Sequence, residues 1–293
     1  MTTSKTKKRG TKKSKPAKKR SPRAAFAVAT NEKKSTAERA KAFVEAPLAT
    51  IASDDTLQAS LDVLRDRQQP IKVRLAALQS LQAATFSVIE FEPHREDYFA
   101  TLRELVDDPD EELRQRVLGI LARENDGYVQ KRLLDGLQDP SKALVPPEKA
   151  LQLLSYDVHA EAYPVAREIL NAPPNPDAKR EALRLLSADA KSAPVFQKLL
   201  RDKDEDRDIR QISAAALQAV QPKRFQEQAR ELLLDDKEYD DIQATALTAL
   251  EQFGDEKAVG KDQQLLNRVD ELGSSKSAKI KKSAKRFMSR YGK

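Results

Sequence analysis

Residues able to do covalent chemistry are few in this chain. There is no Cys and no Trp, and the only histidines, His94 and His159, stand 65 positions apart. Disulfides, thiol nucleophiles and Cys-ligated zinc are excluded, and the two imidazoles lack metal-ligand spacing. No Gly-rich phosphate loop, serine nucleophile elbow or paired-carboxylate motif occurs. Positive charge, by contrast, is concentrated. Residues 1–36 carry 13 Lys/Arg against one acid, Glu32, and residues 272–293 carry eight Lys/Arg and no acid. The candidate polyanion contacts are Lys7, Lys8, Arg9, Lys12, Lys13, Lys18, Lys19 and Arg20 at one end, and Lys281, Lys282 and Arg286 at the other. Each cation that neutralises a phosphate releases a counterion, so such clusters bind nucleic acid or other polyanions without reading sequence. The plainer alternatives are a solubilising tail and a solvated cap on the last helix. No enzymatic activity, metal or cofactor is expected.

What must position these ends is a repeat. A medium apolar residue is followed by a basic one, then by Ala or an equivalent four on, an aliphatic five on, and Leu or Met eight on. The pattern reads Val73-Arg74-Ala77-Leu78-Leu81, Leu113-Arg114-Val117-Leu118-Leu121 and Pro146-Pro147-Ala150-Leu151-Leu154. Four further copies begin at Ala178, Ile209, Ile242 and Ile280, so successive steps are 40, 33, 32, 31, 33 and 38 residues. That period is the mark of stacked helix pairs. In each pair a first helix (A) leads through a turn to a second (B) that carries the pattern. Turn signals fall where they are needed: Gln69-Pro70, Asp108-Pro109, Asp139-Pro140, Asn175-Pro176 and the acidic run Asp202–Asp208. The small fourth residue lets neighbouring B helices approach closely.

Leu105-Val106-Asp107-Asp108-Pro109, running on through Leu113-Arg114 to Leu121, resembles the HEAT-repeat family, and in particular the HEAT-like repeats of phycobilin lyases. Asp204–Leu217 is the next best match. The resemblance covers residues 37–293. It implies an α-solenoid of about seven helix pairs, whose turn Asp and B-helix Arg form a ladder between repeats. Asp108 with Arg114 and Asp204 with Arg210 keep the family's spacing, while Gln243 and Pro147 interrupt it. Arg74, Arg114 and Arg210 are therefore read as structural. Function does not follow from this architecture, which serves scaffolds, transport receptors, chromophore lyases and DNA glycosylases alike. The glycosylases of this fold cradle a damaged base with Trp, which this chain lacks.

On a B helix the pattern's apolar residues point into the stack, so positions two, six and nine beyond the first form an outward stripe. The stripe includes Gln79, Gln115, Gln152, Arg180, Arg184, Gln211, Gln218 and Thr248, and its last repeat adds the cations Lys282 and Arg286. The resemblance places it on a concave surface. It is rich in amides and poor in cations, which suits a protein or peptide better than a duplex; Gln as a plain helix former on a solvated face is the competing reading.

The expected organisation is a disordered Lys/Arg-rich tail over 1–36 and an array over 37–293 that ends in a basic capping helix, with Ala37–Ala46 as a half-repeat cap. The array proper, residues 37–271, holds 32 basic and 45 acidic residues, so an acidic body carries two basic ends although the whole chain is +7. The apolar patch Ala24–Thr30 is short and Ala-rich for an export signal, so secretion is not expected. No apolar run is long enough to span a membrane. The expected protein is a cytoplasmic, or in a eukaryote nuclear, interaction scaffold of undetermined oligomeric state. A tail-bound nucleic-acid-associated protein and a phycobilin-lyase-like chromophore chaperone are the alternatives.

Overall fold

The computed structural model describes residues 20–51, 53–157 and 160–292. Lys7, Lys8, Arg9, Lys12, Lys13, Lys18, Lys19 and His159 lie outside them, as does most of the expected tail. Among the described residues the regular structure is entirely helical. The elements run α1 (Pro22–Ala29), α2 (Thr36–Glu45), α3 (Leu48–Ile51), α4 (Asp54–Arg65), α5 (Ile71–Ala84), α6 (Val88–Phe91), α7 (Arg95–Glu104) and α8 (Glu111–Arg123). They continue with α9 (Gly127–Gln138), α10 (Pro147–Leu154), α11 (Tyr163–Asn171), α12 (Pro176–Leu186), α13 (Ala193–Arg201) and α14 (Arg207–Val220). The last are α15 (Pro222–Leu234), α16 (Asp240–Phe253), α17 (Glu256–Lys261), α18 (Gln263–Leu272) and α19 (Ala278–Tyr291).

The chain divides inside α8 into two compact units, Met1–Arg114 and Gln115–Lys293. In the first, α1 packs on α2, α2 on α5, and α4 on both α5 and α7. In the second, α9/α10, α11/α12, α13/α14, α15/α16 and α18/α19 are helix pairs, and α10, α12, α14, α16 and α19 contact one another in that order. Each unit is a stack of helix pairs, the all-α solenoid class, with the seven pattern copies on α5, α8, α10, α12, α14, α16 and α19. The fourth pattern positions, Ala77, Val117, Ala150, Ala182, Ser213, Ala246 and Ala284, are all buried, as close B-helix approach requires.

Local chemistry sets the helix starts. Ser35 and Glu38 form a reciprocal capping box on α2. Asn175 caps α12 by accepting from the Ala178 N–H at 2.7 Å, and Pro176 fills its first turn. Six of the seven pattern-bearing helices begin at or up to two residues before the first pattern position; α10 begins one residue after it. Pro147 holds Pro146 in extended backbone with ψ 152°, because a residue before proline is disfavoured in the helical region, so α10 cannot begin earlier.

Two corrections concern the N-terminal end. The patch counted within the tail is α1, whose Ala25 and Ala29 are buried and whose Phe26 meets Phe43 edge-on at 6.3 Å. Residues 37–46 are accordingly not a half-repeat: α1 and α2 form a complete pair. The reason lies in a degenerate eighth copy, Glu38-Arg39-Ala42-Phe43-Ala46, in which Phe supplies the volume that Leu supplies elsewhere.

Candidate partner-binding surface

Three of the B helices, α2, α5 and α14, are held in place by buried cations that reach back ten residues. Arg39 Nε donates to the Ala29 carbonyl, Arg74 Nε to that of Leu64, and Arg210 Nε to that of Leu200, each at 3.0 Å. Each acceptor lies at the C-terminal end of the paired A helix, where carbonyls lack helical partners and the dipole favours a cation. Two of these side chains also reach forward to an acid in the following turn. Arg74 Nη2 meets Asp108 Oδ2 at 2.7 Å, and Arg210 grips Glu238 with both terminal nitrogens at 2.9 and 2.6 Å. Lys203 adds a second cation to Glu238 at 2.6 Å. Burial pushes the Glu238 carboxyl up, but the hydrogen bonds from Arg210, Lys203 and the Tyr239 N–H outweigh it and hold the group below its ordinary value. Asp108 behaves alike: burial raises it, and Arg74 with the Asp110 N–H brings it below.

The expected ladder is therefore corrected in its partners. Arg210 binds Glu238 rather than Asp204, and the Asp108 carboxylate takes Arg74, while Arg114 Nη1 donates to the Asp108 backbone carbonyl at 2.6 Å. The rungs join one repeat's Arg to the next repeat's acid, because the guanidinium leaves the B helix pointing forward along the stack. Gln243 keeps a shortened version, donating to the Asp235 carbonyl at 2.9 Å.

With the helices so fixed, the outward stripe stays out of the core. Gln79 and Arg184 are exposed; Gln115, Gln152, Arg180, Gln211, Gln218 and Thr248 are half-buried. From Gln152 onward these residues lie on successive contacting helices, and Gln211 Nε2 approaches Thr245 Oγ1 of the next B helix at 3.5 Å. The cations here are answered locally: Arg180 pairs with Asp177 and Arg184 with Glu181 on their own helix, and Lys149 donates to Gln152 at 2.9 Å. The Thr248 hydroxyl donates to the Ala244 carbonyl at 2.9 Å. Gln211 Oε1 is buried and has no hydrogen-bond partner among the described residues.

The last helix differs. Lys279, Lys281, Lys282, Lys285 and Arg286 are exposed on α19, and no described carboxylate pairs with any of them. Arg20, the one described member of the N-terminal set, is also exposed. Sequence reasoning missed one apolar feature altogether. Phe86 and Ile89 are each 85% exposed, and Val88 is exposed beside them, in the link from α5 through α6. An apolar cluster without helical or alternating period was the signal for it. Among the described residues no group of acidic or His side chains is arranged to hold a metal, and no helix is long and apolar enough to cross a membrane. His94 Nε2 lies 3.0 Å from Asp54 Oδ1.

No family model and no curated protein matches the chain. Among solved structures it is similar to an engineered protein, at 15% identity and a TM-score of 0.46 over 93% of this chain and 89% of that one. It is also similar to human deoxyhypusine hydroxylase in complex with glycerol, at 14% identity and a TM-score of 0.34 over 84% of this chain and 99% of that one. A third likeness is the complex of CpcE and CpcF of phycocyanin lyase from Nostoc, at 14% identity and a TM-score of 0.26 over 96% and 99% of the two chains. At these scores the likenesses carry no argument, and the fold assignment rests on the helix pairing itself.

Proposed function

We propose that the protein is a non-enzymatic scaffold with two surfaces of different chemistry: the B-helix stripe for a protein or peptide, and the basic helix α19 for a polyanion. The observation that carries this reading is the division in cation pairing. On the stripe, Arg180 and Arg184 already have carboxylate partners, so a polyanion arriving there must first displace an acid. Amide and hydroxyl groups remain to meet a peptide, and the unpartnered Gln211 Oε1 suits an incoming backbone N–H. On α19 the exposed cations have no such competitors, and counterion release favours an anionic chain there.

The test is binding of a labelled single-stranded oligonucleotide to the full chain across a salt series. Replacing Lys281, Lys282 and Arg286 with Glu lowers affinity. It also flattens the log–log salt slope by about 2, at roughly 0.7 for each phosphate no longer neutralised. An unchanged slope with unchanged affinity overturns the assignment of α19.

A further inference from the structure

The rung of the ladder is missing at α10, and a cavity stands there. Arg39, Arg74 and Arg210 each bridge the end of an A helix to the start of the paired B helix. At the corresponding position of α10 stands Pro147, with no side-chain donor and no N–H. The truncated first turn of α10 removes further volume. A cavity of about 430 Å³ opens there in the second unit, lined by Leu133 and Leu137 of α9, Pro147 and Ala150 of α10, and Ile169 and Pro174 from α11 and its following loop. Leu137 stands ten residues before Pro147, the spacing at which the three arginines find their carbonyl.

One wall is fixed by close packing. The connection from Pro140 to Val145 folds over α9 because residue 136 is Gly; a Cβ there would lie 2.9 Å from Ala143 Cα. No charged side chain lines the space, and the acid that completes the Arg74 and Arg210 rungs is absent. The turn before α12, where the corresponding acid would stand, reads Pro173-Pro174-Asn175, and the Asn175 amide is committed to Glu148 at 3.0 Å.

We infer that this proline-opened rung is a binding site for a small, neutral, mainly apolar molecule carrying a single hydrogen-bond donor. Apolar walls exclude a charged ligand, because nothing there repays its lost hydration. The volume falls in the range of small-molecule sites, and apolar cavities smaller than this one take up aromatic guests. The donor substitutes for the missing guanidinium at the Leu137 carbonyl.

Indole is the probe, titrated into the full chain and followed by methyl chemical shifts and thermal melting, with benzoate and benzylammonium as charged controls. Saturable binding is expected with a dissociation constant on the order of 1 mM or tighter for so few atoms, with the largest shifts at Leu133, Ile169 and Leu137. The charged controls bind at least about tenfold more weakly. Ile169→Trp fills the cavity and Pro147→Arg refills the rung; each abolishes indole binding, and circular dichroism and melting identify which variants are folded. The inference is overturned if wild-type protein does not saturate, if the charged controls bind equally well, or if a folded variant of either kind retains the site.

Discussion

Arg210 is a fully buried cation whose nitrogens are all engaged, by one carbonyl behind it and one carboxylate ahead. Removing one partner of such a pair leaves an uncompensated buried charge, which costs about 3–5 kcal/mol. Arg210→Met and Glu238→Gln are each expected to lower stability by that amount in denaturant unfolding, and the double variant by less than their sum, because the lone charge is then gone. The pH dependence has a definite sign. The Glu238 carboxyl is held below its unfolded value, so its contribution is complete above that value, about pH 4.3, and is lost as pH falls through the folded value. Wild-type melting temperature should decline faster than that of Glu238→Gln as pH is lowered from about 5 toward about 3; parallel curves would show that the carboxyl does not link protonation to folding. The structural role of Arg210 was legible in the sequence from its place beside Ile209 in the pattern. Its partner was not, because the acid sits in the next turn, and the turn lengths differ enough that the spacing is 34 residues for Arg74–Asp108 and 28 for Arg210–Glu238.

Among the elements, B helices with their small fourth residue were legible, since seven buried positions share one spacing. Helix α1 was not. A patch of seven residues dominated by Ala gives no period, and its evidence lay in the following helix: the Ser35–Glu38 capping box and the degenerate copy around Arg39. The distinction has a measurable consequence. A chain begun at residue 37 loses Ala25, Phe26 and Ala29 from the face of α2 and strips Arg39 of its Ala29 acceptor. Residues 37–293 should therefore melt several degrees below residues 20–293, and equal melting would mean that α1 contributes nothing to the stack. Ala182, fully buried on α12 where it meets α10 and α14, provides a second test. Ala182→Glu buries an unpaired carboxylate and should be severely destabilising, whereas Gln218→Glu, on the half-buried stripe of α14, should shift stability by no more than about 0.5 kcal/mol. The stripe could be read from periodicity because exposure follows helical phase. The neutralisation of Arg180 and Arg184 depends on carboxylates three residues earlier and on rotamers, which periodicity does not report.

Over the whole molecule, charge is sorted by position along the chain. Residues 37–271 hold 13 more acids than bases, while nine Lys/Arg fall in residues 1–19 with no acid, and eight in residues 272–293 with none. The folded interior of the array spends part of its charge on rungs and inter-repeat pairs such as Lys179–Glu205 and Arg230–Asp262. What remains is net negative and repels a polyanion, so binding should come from the ends. Beginning the chain at residue 20 removes the nine N-terminal cations while keeping α1 and its packing. That truncation should weaken single-stranded oligonucleotide binding most at low salt. It should also reduce the log–log salt slope in proportion to the number of phosphates left unneutralised, about 0.7 each. Combined with Glu at Lys281, Lys282 and Arg286, it should bring binding to the baseline of an acidic protein. The two changes should add in free energy if each end engages its own phosphates. Binding that survives in the combined variant would place the site on the array itself, against the sign of its charge, and would refute the division of surfaces proposed for this protein.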